Sequence, residues 1–461
     1  MNEAVPPEAA DEALDDLRAR IQRTRRVANP WADDRARGLP AGELEALLEY
    51  WATGYDWRGH ERRIRSLPWA TAGVEGGELR VIHQRAADPS APAVVLLHGW
   101  PDSVLRFERV LPLLGGLHVV VPALPGFPFA VPLASPASVN RIADVVAGAV
   151  GELGYDRYTV SGGDVGGDVA EVLAAGHPDR VTALHLTNVS PRHAAAADPA
   201  RLPPEAAGYL GRAAQWFRSD GGYIAEQSTR PGTLTAALAD SPAGLAAWIV
   251  EKLAAWSADA AAAFTRDEIL TWVTAYWLTG SIGTSFSTYA EPAAIPDRID
   301  TPTVLSAFAH DIKPAPRSYA EAFVDVREFI EHDAGGHFAA WEQPAAYAED
   351  LRRAVRLGAR SERAAAPRRL RDRGKGRAGG ACRRAAARVG RRAGRHPLGS
   401  GPCGRHGASR YPHRRGTFPR YPAHGLGQTV TPDEIVDALH QAVPPGARVS
   451  IPCREGTYRS S

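Results

Sequence analysis

The stretch that decides the fold is Tyr158-Thr159-Val160-Ser161-Gly162-Gly163-Asp164-Val165-Gly166-Gly167. Its first four residues have the pattern of a buried strand, and a helical pattern follows from Asp168. Glycines at 162 and 166 allow a sharp strand-to-helix turn without steric clash. Such a turn is typical of a nucleophile elbow, in which small residues flank an exposed reactive side chain. An ordinary tight turn and a degraded phosphate-binding loop are equally compatible with an Asp among glycines, so the motif alone leaves three interpretations.

Short apolar runs on both sides of this motif predict a mostly parallel sheet. Most are continuous and do not alternate with polar residues, as is typical of strands buried on both faces. Helical patterns separate them, and this alternation predicts an α/β fold with helices on both faces of the sheet. The predicted strands are Leu79–His83, Ala93–Leu97, Leu117–Val121, Tyr158–Ser161, one within Val181–Val189, Thr303–Phe308 and Asp325–Ile330, and the predicted helices are 12–27, 41–52, 138–153, 168–176, 317–323 and 344–357.

The strand pattern stops at about Ser190 and resumes near residue 296. The residues between are rich in Ala and aromatic side chains and have helical patterns. A segment of this length is far beyond ordinary loop lengths, so we predict a helical subdomain inserted between two strands. The predicted organisation is an N-terminal meander, a first core segment, the helical insert, a second core segment and a tail, at 1–77, 78–189, 190–295, 296–358 and 359–461.

Charge and composition separate the last hundred residues from the rest of the chain. The formal net charge is only +2, from 54 Lys+Arg and 52 Asp+Glu. Residues 361–461 contain 21 basic and 6 acidic residues, which leaves 33 basic and 46 acidic residues in 1–360. Because 361–429 contain only five Leu, Ile, Val or Phe, burial there cannot offset the ordering entropy, and we predict disorder.

Two interpretations of this basic tail remain open. The first is a tail that binds nucleic acid or another anionic surface. The second is an out-of-frame translation or an unselected extension. We favour the second, because the Arg-rich run has no repeat and little aromatic interleaving, and we expect no nucleic-acid partner.

The positions of the cysteines, the acidic N-terminus and the length of the apolar runs limit the kinds of site and the location that we expect. All three cysteines, Cys382, Cys403 and Cys453, lie in the tail, so the body is expected to have no disulfide and no cysteine-based metal site. The acidic N-terminus does not have the pattern of a targeting signal, and no run of about 18 apolar residues is present. We expect no membrane span and a cytoplasmic location, and the Arg/Ala/Gly/Pro-rich usage suggests a bacterial source.

A second motif, His98-Gly99-Trp100-Pro101, follows the predicted strand Ala93–Leu97 directly. In α/β-hydrolases this loop supplies one backbone N–H of the oxyanion hole, and the residue after the nucleophile supplies the other. These residues would be Trp100 and Val165. We expect His98 itself to shape the loop and to take no part in the chemistry.

A third motif, Gly335-Gly336-His337-Phe338, follows the last predicted strand. Hydrolases of this class carry their base on such a loop, in the chain order nucleophile, acid, base. His337 is therefore the predicted base, and Asp311, after the strand Thr303–Phe308, is the predicted acid. Glu331 and Asp333 are rivals to Asp311, but they lie at the end of the strand that leads to His337 itself.

Taken together, the motifs resemble the microsomal-type epoxide hydrolases of the α/β-hydrolase fold, including their N-terminal segment. The resemblance runs from about Ala13 to about Leu357. It is carried by Tyr50-Trp51, Tyr55-Asp56-Trp57-Arg58 with Glu61, Leu67-Pro68, His98-Gly99-Trp100-Pro101-Asp102-Ser103, Pro122-Ala123-Leu124-Pro125-Gly126-Phe127, Gly162-Gly163-Asp164, Phe308-Ala309-His310-Asp311 and Gly335-Gly336-His337-Phe338.

The resemblance implies a covalent mechanism with an epoxide and water as reactants and a vicinal diol as product. Asp164 would form an alkyl–enzyme ester, and a water activated by His337 and Asp311 would hydrolyse it. Two tyrosines of the helical cap, Tyr223 and Tyr289, would hold the epoxide oxygen, with Tyr276 as a rival to Tyr289. No metal and no organic cofactor is implied, and a homo-oligomer is compatible with the family. The expected apolar pocket residues are Phe127, Trp216 and Phe286.

Two alternatives remain. A haloalkane dehalogenase on the same scaffold also uses an Asp nucleophile and a His base, but it often has a Trp after the nucleophile, where this chain has Val165. The other alternative is an inactive member of the family whose basic tail binds nucleic acid.

Overall fold

The computed structural model describes residues 4–132, 135–193 and 202–375. Within these residues the strands are β1 (Trp69–Val74), β2 (Gly77–Gln84), β3 (Ala93–Leu97), β4 (His118–Pro122), β5 (Tyr158–Gly162), β6 (Val181–Leu186), β7 (Ile299–His310) and β8 (Val324–Gly336). They form one sheet in the order β1-β2-β4-β3-β5-β6-β7-β8. The pairs β1·β2 and β2·β4 are antiparallel, and every other pair is parallel. The predicted α/β fold with a mostly parallel sheet is confirmed.

The helices of the described residues fall into groups before, within and after the sheet. They are α1 (Asp11–Gln22), α2 (Ala41–Thr53), α3 (Trp57–Arg65), α4 (Val139–Glu152), α5 (Val165–Gly176), α6 (Pro204–Ser219), α7 (Gly222–Thr229), α8 (Pro231–Leu238), α9 (Pro242–Trp256), α10 (Ala260–Ala263), α11 (Arg266–Thr279), α12 (Ile282–Ser285), α13 (Ser287–Ala290), α14 (Arg317–Ala320), α15 (Ala339–Glu342) and α16 (Pro344–Lys375). Helices α6–α13 lie between β6 and β7 in the chain, and we call them the helical insert. The helices α4 and α5 pack on each other and on the sheet, while α16 packs on β5, β6 and β7.

The strand register brings the predicted motifs to one edge of the sheet. Leu97, at the end of β3, pairs with Gly162, at the end of β5, so the two following loops leave the sheet side by side. At the ends of β7 and β8, His310 pairs with Gly336. Because carboxyl ends of parallel strands meet at one edge, the segments beginning at 98, 163, 311 and 337 converge there.

The N-terminal helices pack against the helical insert. The hydroxyl of Tyr50 donates to Asp267 at 2.7 Å, and the Tyr55 hydroxyl lies 3.1 Å from the Thr271 hydroxyl. Both partners belong to α11. The N-terminal segment therefore contacts a part of the chain that lies more than two hundred residues further on.

Strand β1 was not predicted from the sequence. Its residues, Trp69-Ala70-Thr71-Ala72-Gly73-Val74, lack a run of bulky apolar side chains, and the strand forms by antiparallel pairing with β2, as far as Val74 with Gly77. Tertiary pairing overrides a weak local preference here. The predicted boundary between residues 77 and 78 consequently falls inside the β1–β2 hairpin.

The last helix is also longer than predicted. The sequence predicts a helix over 344–357 and disorder from 361, whereas α16 continues to Lys375. The prediction is wrong for 361–375, because Ala and Arg have high helix propensity and extend a helix that packing has already nucleated. The predicted tail beyond residue 375 lies outside the described residues.

No individual helix in the described ranges combines the length and apolar character that a membrane span requires. Among the helices that the structure describes, α8 and α9 taken together are the one pair that reaches that length and composition, and they are bent by 114° relative to each other.

Candidate active site

Asp164 occupies the strained tip of the turn between β5 and α5. Its backbone has φ 56° and ψ −135°, a sparsely populated conformation for a side-chain-bearing residue that costs about 1–3 kcal/mol. A Cβ at Gly166 would collide with the carbonyl oxygen of Leu97, so the elbow packs directly against the end of β3. The N–H of Asp164 donates to the side-chain oxygen of Asn188 at 2.8 Å. The fold therefore holds the Asp164 carboxylate outward from the sheet edge.

The loop after β3 contacts this carboxylate directly. The backbone N–H of Trp100 donates to Oδ1 of Asp164 at 2.9 Å. A Cβ at Gly99 would lie 2.5 Å from the same oxygen, so only glycine permits this approach. Val165 begins α5, where its N–H has no acceptor within the helix. The structure thus places both predicted oxyanion N–H groups beside Asp164.

A buried ion pair supports the Trp100 loop from behind. Asp102 accepts from the N–H of Gly99 at 2.8 Å and from Arg106 at 2.5 Å. Arg106 also donates to the carbonyl oxygen of His337 at 2.5 Å, which ties this loop to the predicted base. His98 accepts from the N–H of Leu124 at 3.2 Å. His98 therefore joins two loops, in agreement with the expectation that it shapes the structure.

His337 lies between two carboxylates. Its Nδ1 is 2.7 Å from Oδ1 of Asp311, and its Nε2 is 3.3 Å from Oδ2 of Asp164. Nε2 is buried and makes no hydrogen bond with good geometry in the described residues. Glu331 and Asp333, the rivals to Asp311, are exposed. The structure brings Asp164, His337 and Asp311 together and leaves both rivals outside.

The charges of Asp311 and Asp164 favour the protonated, imidazolium form of His337 in the resting enzyme. Burial alone would lower the pKa of His337, but Asp311 and Asp164 outweigh it and raise that pKa to about 9. For Asp311, burial opposes the charged form, and the adjacent His337 overcomes it and lowers the pKa of the Asp311 carboxyl. Asp311 and His337 therefore stabilise each other's charged forms.

Two tyrosines of the helical insert face Asp164. Tyr223, on α7, and Tyr289, on α13, line the same cavity as Asp164 and His337. Their ring centroids are 6.1 Å apart. Burial and the charge of Asp164 raise the pKa of each hydroxyl well above its usual value. The rival Tyr276 does not line this cavity in the described structure, and its hydroxyl donates to the carbonyl oxygen of Asp102 at 3.0 Å.

The cavity has a volume of about 330 Å³, which is within the range of small-molecule sites. Apolar side chains, among them Val165, Val189 and Ile224, form much of its wall. None of the three predicted pocket residues lines it. Phe127 packs edge-on against His98, Trp216 lies over Lys313, and Phe286 is fully buried beside Trp100. The prediction was wrong because an aromatic side chain near a motif is as often part of the core as part of a cavity wall.

Sequence reasoning missed several residues of this site. Asn188 orients the Asp164 backbone, and its position just after β6 was the available signal, since polar residues at the carboxyl ends of parallel strands converge. Glu342 accepts from the N–H groups of Gly336 at 3.0 Å and Phe338 at 3.1 Å, on either side of His337. Lys313 lines the cavity. Neither Glu342 nor Lys313 has a local pattern that would have indicated its role.

Comparisons with known proteins agree with this geometry. The family described as "Epoxide hydrolase N terminus" matches residues 3–107, and the family described as "alpha/beta hydrolase fold" matches residues 92–223. A curated protein of Stigmatella aurantiaca, named "Putative epoxide hydrolase", is 36% identical over 75% of this chain and 82% of its own length. Epoxide hydrolase 1 of Sus scrofa is 28% identical over 76% of this chain and 87% of its own length.

A solved structure is also similar. The epoxide hydrolase of Aspergillus niger superposes with a TM-score of 0.68 at 29% identity, and the match covers 77% of this chain and 98% of that one. The chain belongs to the microsomal-type epoxide hydrolase family of the α/β-hydrolase fold.

Proposed function

We propose that this epoxide hydrolase works through a covalent ester of Asp164, with His337 as the base and Tyr223 and Tyr289 as the acids. One observation carries the proposal. The Asp164 carboxylate shares a single cavity with the His337 imidazole and both tyrosines, and only one of its oxygens is engaged by the backbone. The two oxygens therefore have different environments and different roles.

In the first step, Oδ2 of Asp164 attacks an epoxide carbon. A C–O bond forms to this carbon while the C–O bond of the strained ring breaks, and the oxygen that leaves takes a proton from Tyr223 or Tyr289. Oδ1 keeps the hydrogen bond from Trp100 and becomes the carbonyl oxygen of the ester. The raised pKa of both tyrosines supports this step, because it keeps their hydroxyls protonated before the alkoxide develops.

In the second step, the His337 imidazolium first gives its proton to the tyrosinate, and its neutral Nε2 then removes a proton from water, so that the hydroxide attacks the ester carbon. The N–H groups of Trp100 and Val165 stabilise the resulting oxyanion. When the intermediate collapses, the departing diol oxygen takes the proton of the new carboxylic acid. His337 keeps the proton taken from water and is again the imidazolium of the resting enzyme, so that one water and one epoxide give one vicinal diol.

Loss of the Asp164 charge couples the two steps. In the ester, Asp164 no longer favours the imidazolium, so the pKa of His337 falls from its resting value of about 9. His337 therefore becomes a competent base when the ester awaits water.

Single-turnover labelling tests the proposal directly. With excess enzyme, styrene oxide and H₂¹⁸O, the label should enter the peptide that contains Asp164 and be missing from the first-turnover diol. His337→Gln should accumulate the alkyl–enzyme adduct in intact-protein mass spectrometry, and Asp164→Asn should show neither adduct nor turnover. Asp333→Asn, which removes an exposed carboxylate near His337 in sequence, is the matched control and should remain active. Label in the first-turnover diol would contradict a covalent route.

A cytoplasmic location also remains our proposal. It is supported by α1, which packs on α2 and on α9 and thus belongs to the folded body. Fractionation of cells that produce the full chain tests it, and recovery of the activity in the membrane fraction would contradict it.

A further inference from the structure

Lys313 lines the cavity, and the reaction steps above do not use it. It lies two residues after Asp311, in the loop between β7 and α14. Its Nζ is 3.6 Å from the ring centroid of Trp216 and 4.5 Å from that of Phe217, both on α6. The loop that carries Asp311 therefore also carries an ammonium group, and two aromatic rings of the helical insert cover this group.

The carboxylates of the cavity pair with other cations and form no direct ion pair with this ammonium in the described structure. The charged lining residues are Asp164, Asp168, Asp311, Arg192, His337 and Lys313. Asp168 pairs with Arg192 at 2.9 Å, and Asp311 pairs with His337 at 2.7 Å. Within the described residues no carboxylate forms an ion pair with Lys313.

Lys313 nevertheless remains largely charged at neutral pH. Burial lowers the pKa of its amine to about 8, and Asp311 and Asp164 oppose that shift. The two aromatic faces stabilise the cation further. A half-buried cation that has aromatic contacts and no directly paired carboxylate is suited to an anionic group that arrives with the substrate.

The position of Lys313 also determines where that group would lie. Lys313 is half-buried and its neighbour Phe217 is 39% exposed, so this end of the cavity lies nearer the protein surface than Asp164, which has 12% of its side chain exposed. A substrate whose epoxide reaches Asp164 would extend its other end toward Lys313. The other cations of the cavity, Arg192 and His337, are already paired with Asp168 and Asp311.

We propose that Lys313 makes this enzyme selective for epoxides that carry a carboxylate, which its ammonium binds at the mouth of the cavity. The inference rests on the proposed function and assigns a substrate class to the same site. Lys313 is a specificity-determining residue in this view, since it contacts a substituent and not the reacting atoms.

The test compares two substrates that share the same ring and phenyl group. These are 4-(oxiran-2-yl)benzoate, whose carboxylate lies at the end of the molecule remote from the epoxide, and its neutral carboxamide, assayed with the full chain, with Lys313→Met and with Lys313→Arg. Because a hydrogen bond to a charged partner contributes about 1.5–3 kcal/mol, we expect kcat/KM to favour the carboxylate by about ten- to hundredfold. Lys313→Met should remove this preference by slowing the carboxylate alone, and Lys313→Arg should retain part of it.

Two controls separate a specific effect of Lys313 from a general loss of positive charge and from a loss of epoxide hydrolysis itself. Arg317→Met removes an exposed cation four residues further along the chain, outside the cavity lining, and should keep the preference of the unmodified enzyme. Equal kcat/KM for the two substrates in the unmodified enzyme, or an unchanged preference in Lys313→Met, would overturn the proposal. Styrene oxide reports on the proposed function separately: if it is hydrolysed while the carboxylate is not favoured, the assigned substrate class alone fails, and if no epoxide is hydrolysed, both fail.

Discussion

The backbone N–H of Trp100 donates to Oδ1 of Asp164 at 2.9 Å, while the other oxygen, Oδ2, faces Nε2 of His337 at 3.3 Å. This asymmetry divides the carboxylate into an oxygen that stays a carbonyl and an oxygen that attacks. It arises because β3 and β5 end at the same edge of the sheet and Gly99 allows the Trp100 loop to approach closely. The nucleophile and its oxyanion donor are therefore positioned by the fold before any substrate binds.

Tyr223 and Tyr289, which line the cavity, should each contribute more to the rate than Tyr276 does. Removal of one donor to a developing oxyanion costs about 10²–10³ in rate, so Tyr223→Phe and Tyr289→Phe should each lower kcat/KM for styrene oxide to that extent. Tyr276→Phe should cost less, because its hydroxyl is engaged by Asp102 and does not line the cavity. Steady-state kinetics measures all three.

The control for the tyrosines is Tyr319→Phe, which removes a buried hydroxyl that has no hydrogen-bond partner in the described residues. Its kcat/KM should equal that of the unmodified enzyme. If Tyr276→Phe were slower than both Tyr223→Phe and Tyr289→Phe, the assignment of the acids would be wrong.

The pKa of His337 should fall when Asp164 is replaced by Asn. Asp311 and Asp164 together raise that pKa to about 9 against the effect of burial. Loss of one negative charge destabilises the imidazolium, so His337 in Asp164→Asn should release its proton at a lower pH. NMR titration of the imidazole signals measures this shift.

His185 is the internal reference for that titration. Burial lowers its pKa to about 4, and Asp350 is the carboxylate that opposes this shift. The substitution at Asp164 should leave its titration unchanged. An unchanged or higher pKa of His337 in Asp164→Asn would contradict the coupling between the two catalytic steps.

Glu342 should act as a positioning residue for His337. Its carboxylate accepts from the N–H groups of Gly336 and Phe338, and from Ala258 of the helical insert at 2.9 Å. Glu342→Gln keeps one acceptor oxygen and loses the charge, which should cost about 1–3 kcal/mol of unfolding free energy. We expect kcat to fall about tenfold with KM little changed, since the imidazole is displaced and the cavity is not.

The matched control is Glu349→Gln, an exposed carboxylate on α16 that pairs with Arg356. Thermal unfolding and steady-state kinetics should show little change for it, because exposed ion pairs contribute about 0–1 kcal/mol. A loss confined to KM in Glu342→Gln would count against a positioning role.

The elbow should not tolerate a side chain at Gly166. A Cβ there would collide with the carbonyl oxygens of Leu97 and His98, which are backbone atoms that cannot rotate away. We expect Gly166→Ala to lower the melting temperature and to abolish turnover. Gly176→Ala, at the other end of α5, meets no atom within 4 Å, and the helix preference for Ala should leave its stability unchanged or raise it by about 0.5–1 kcal/mol. Equal stability of the two variants would show that the elbow is looser than its packing implies.

Much of this architecture could be predicted locally. Strand β3 has the predicted bounds, and the other predicted strands differ from the structure mainly at their ends, because apolar periodicity and glycine placement are properties of neighbouring residues. Strand β1 could not be predicted from the sequence, because its pairing partner, and not its own composition, stabilises it. The extension of α16 beyond residue 357 could not be predicted for a related reason, since the packed first part of the helix nucleates the rest.

The sequence by itself indicated the α/β fold, the family and the candidate catalytic residues Asp164, Asp311 and His337. Each of these follows from short motifs of neighbouring residues. Only the tertiary structure decided that Tyr289 and not Tyr276 faces Asp164, that Phe127, Trp216 and Phe286 lie outside the cavity lining, and that Lys313 lies inside it. The physical reason is that the direction of a side chain depends on how helices of the insert pack on the sheet. That packing joins residues that are more than a hundred positions apart, and no local pattern encodes it.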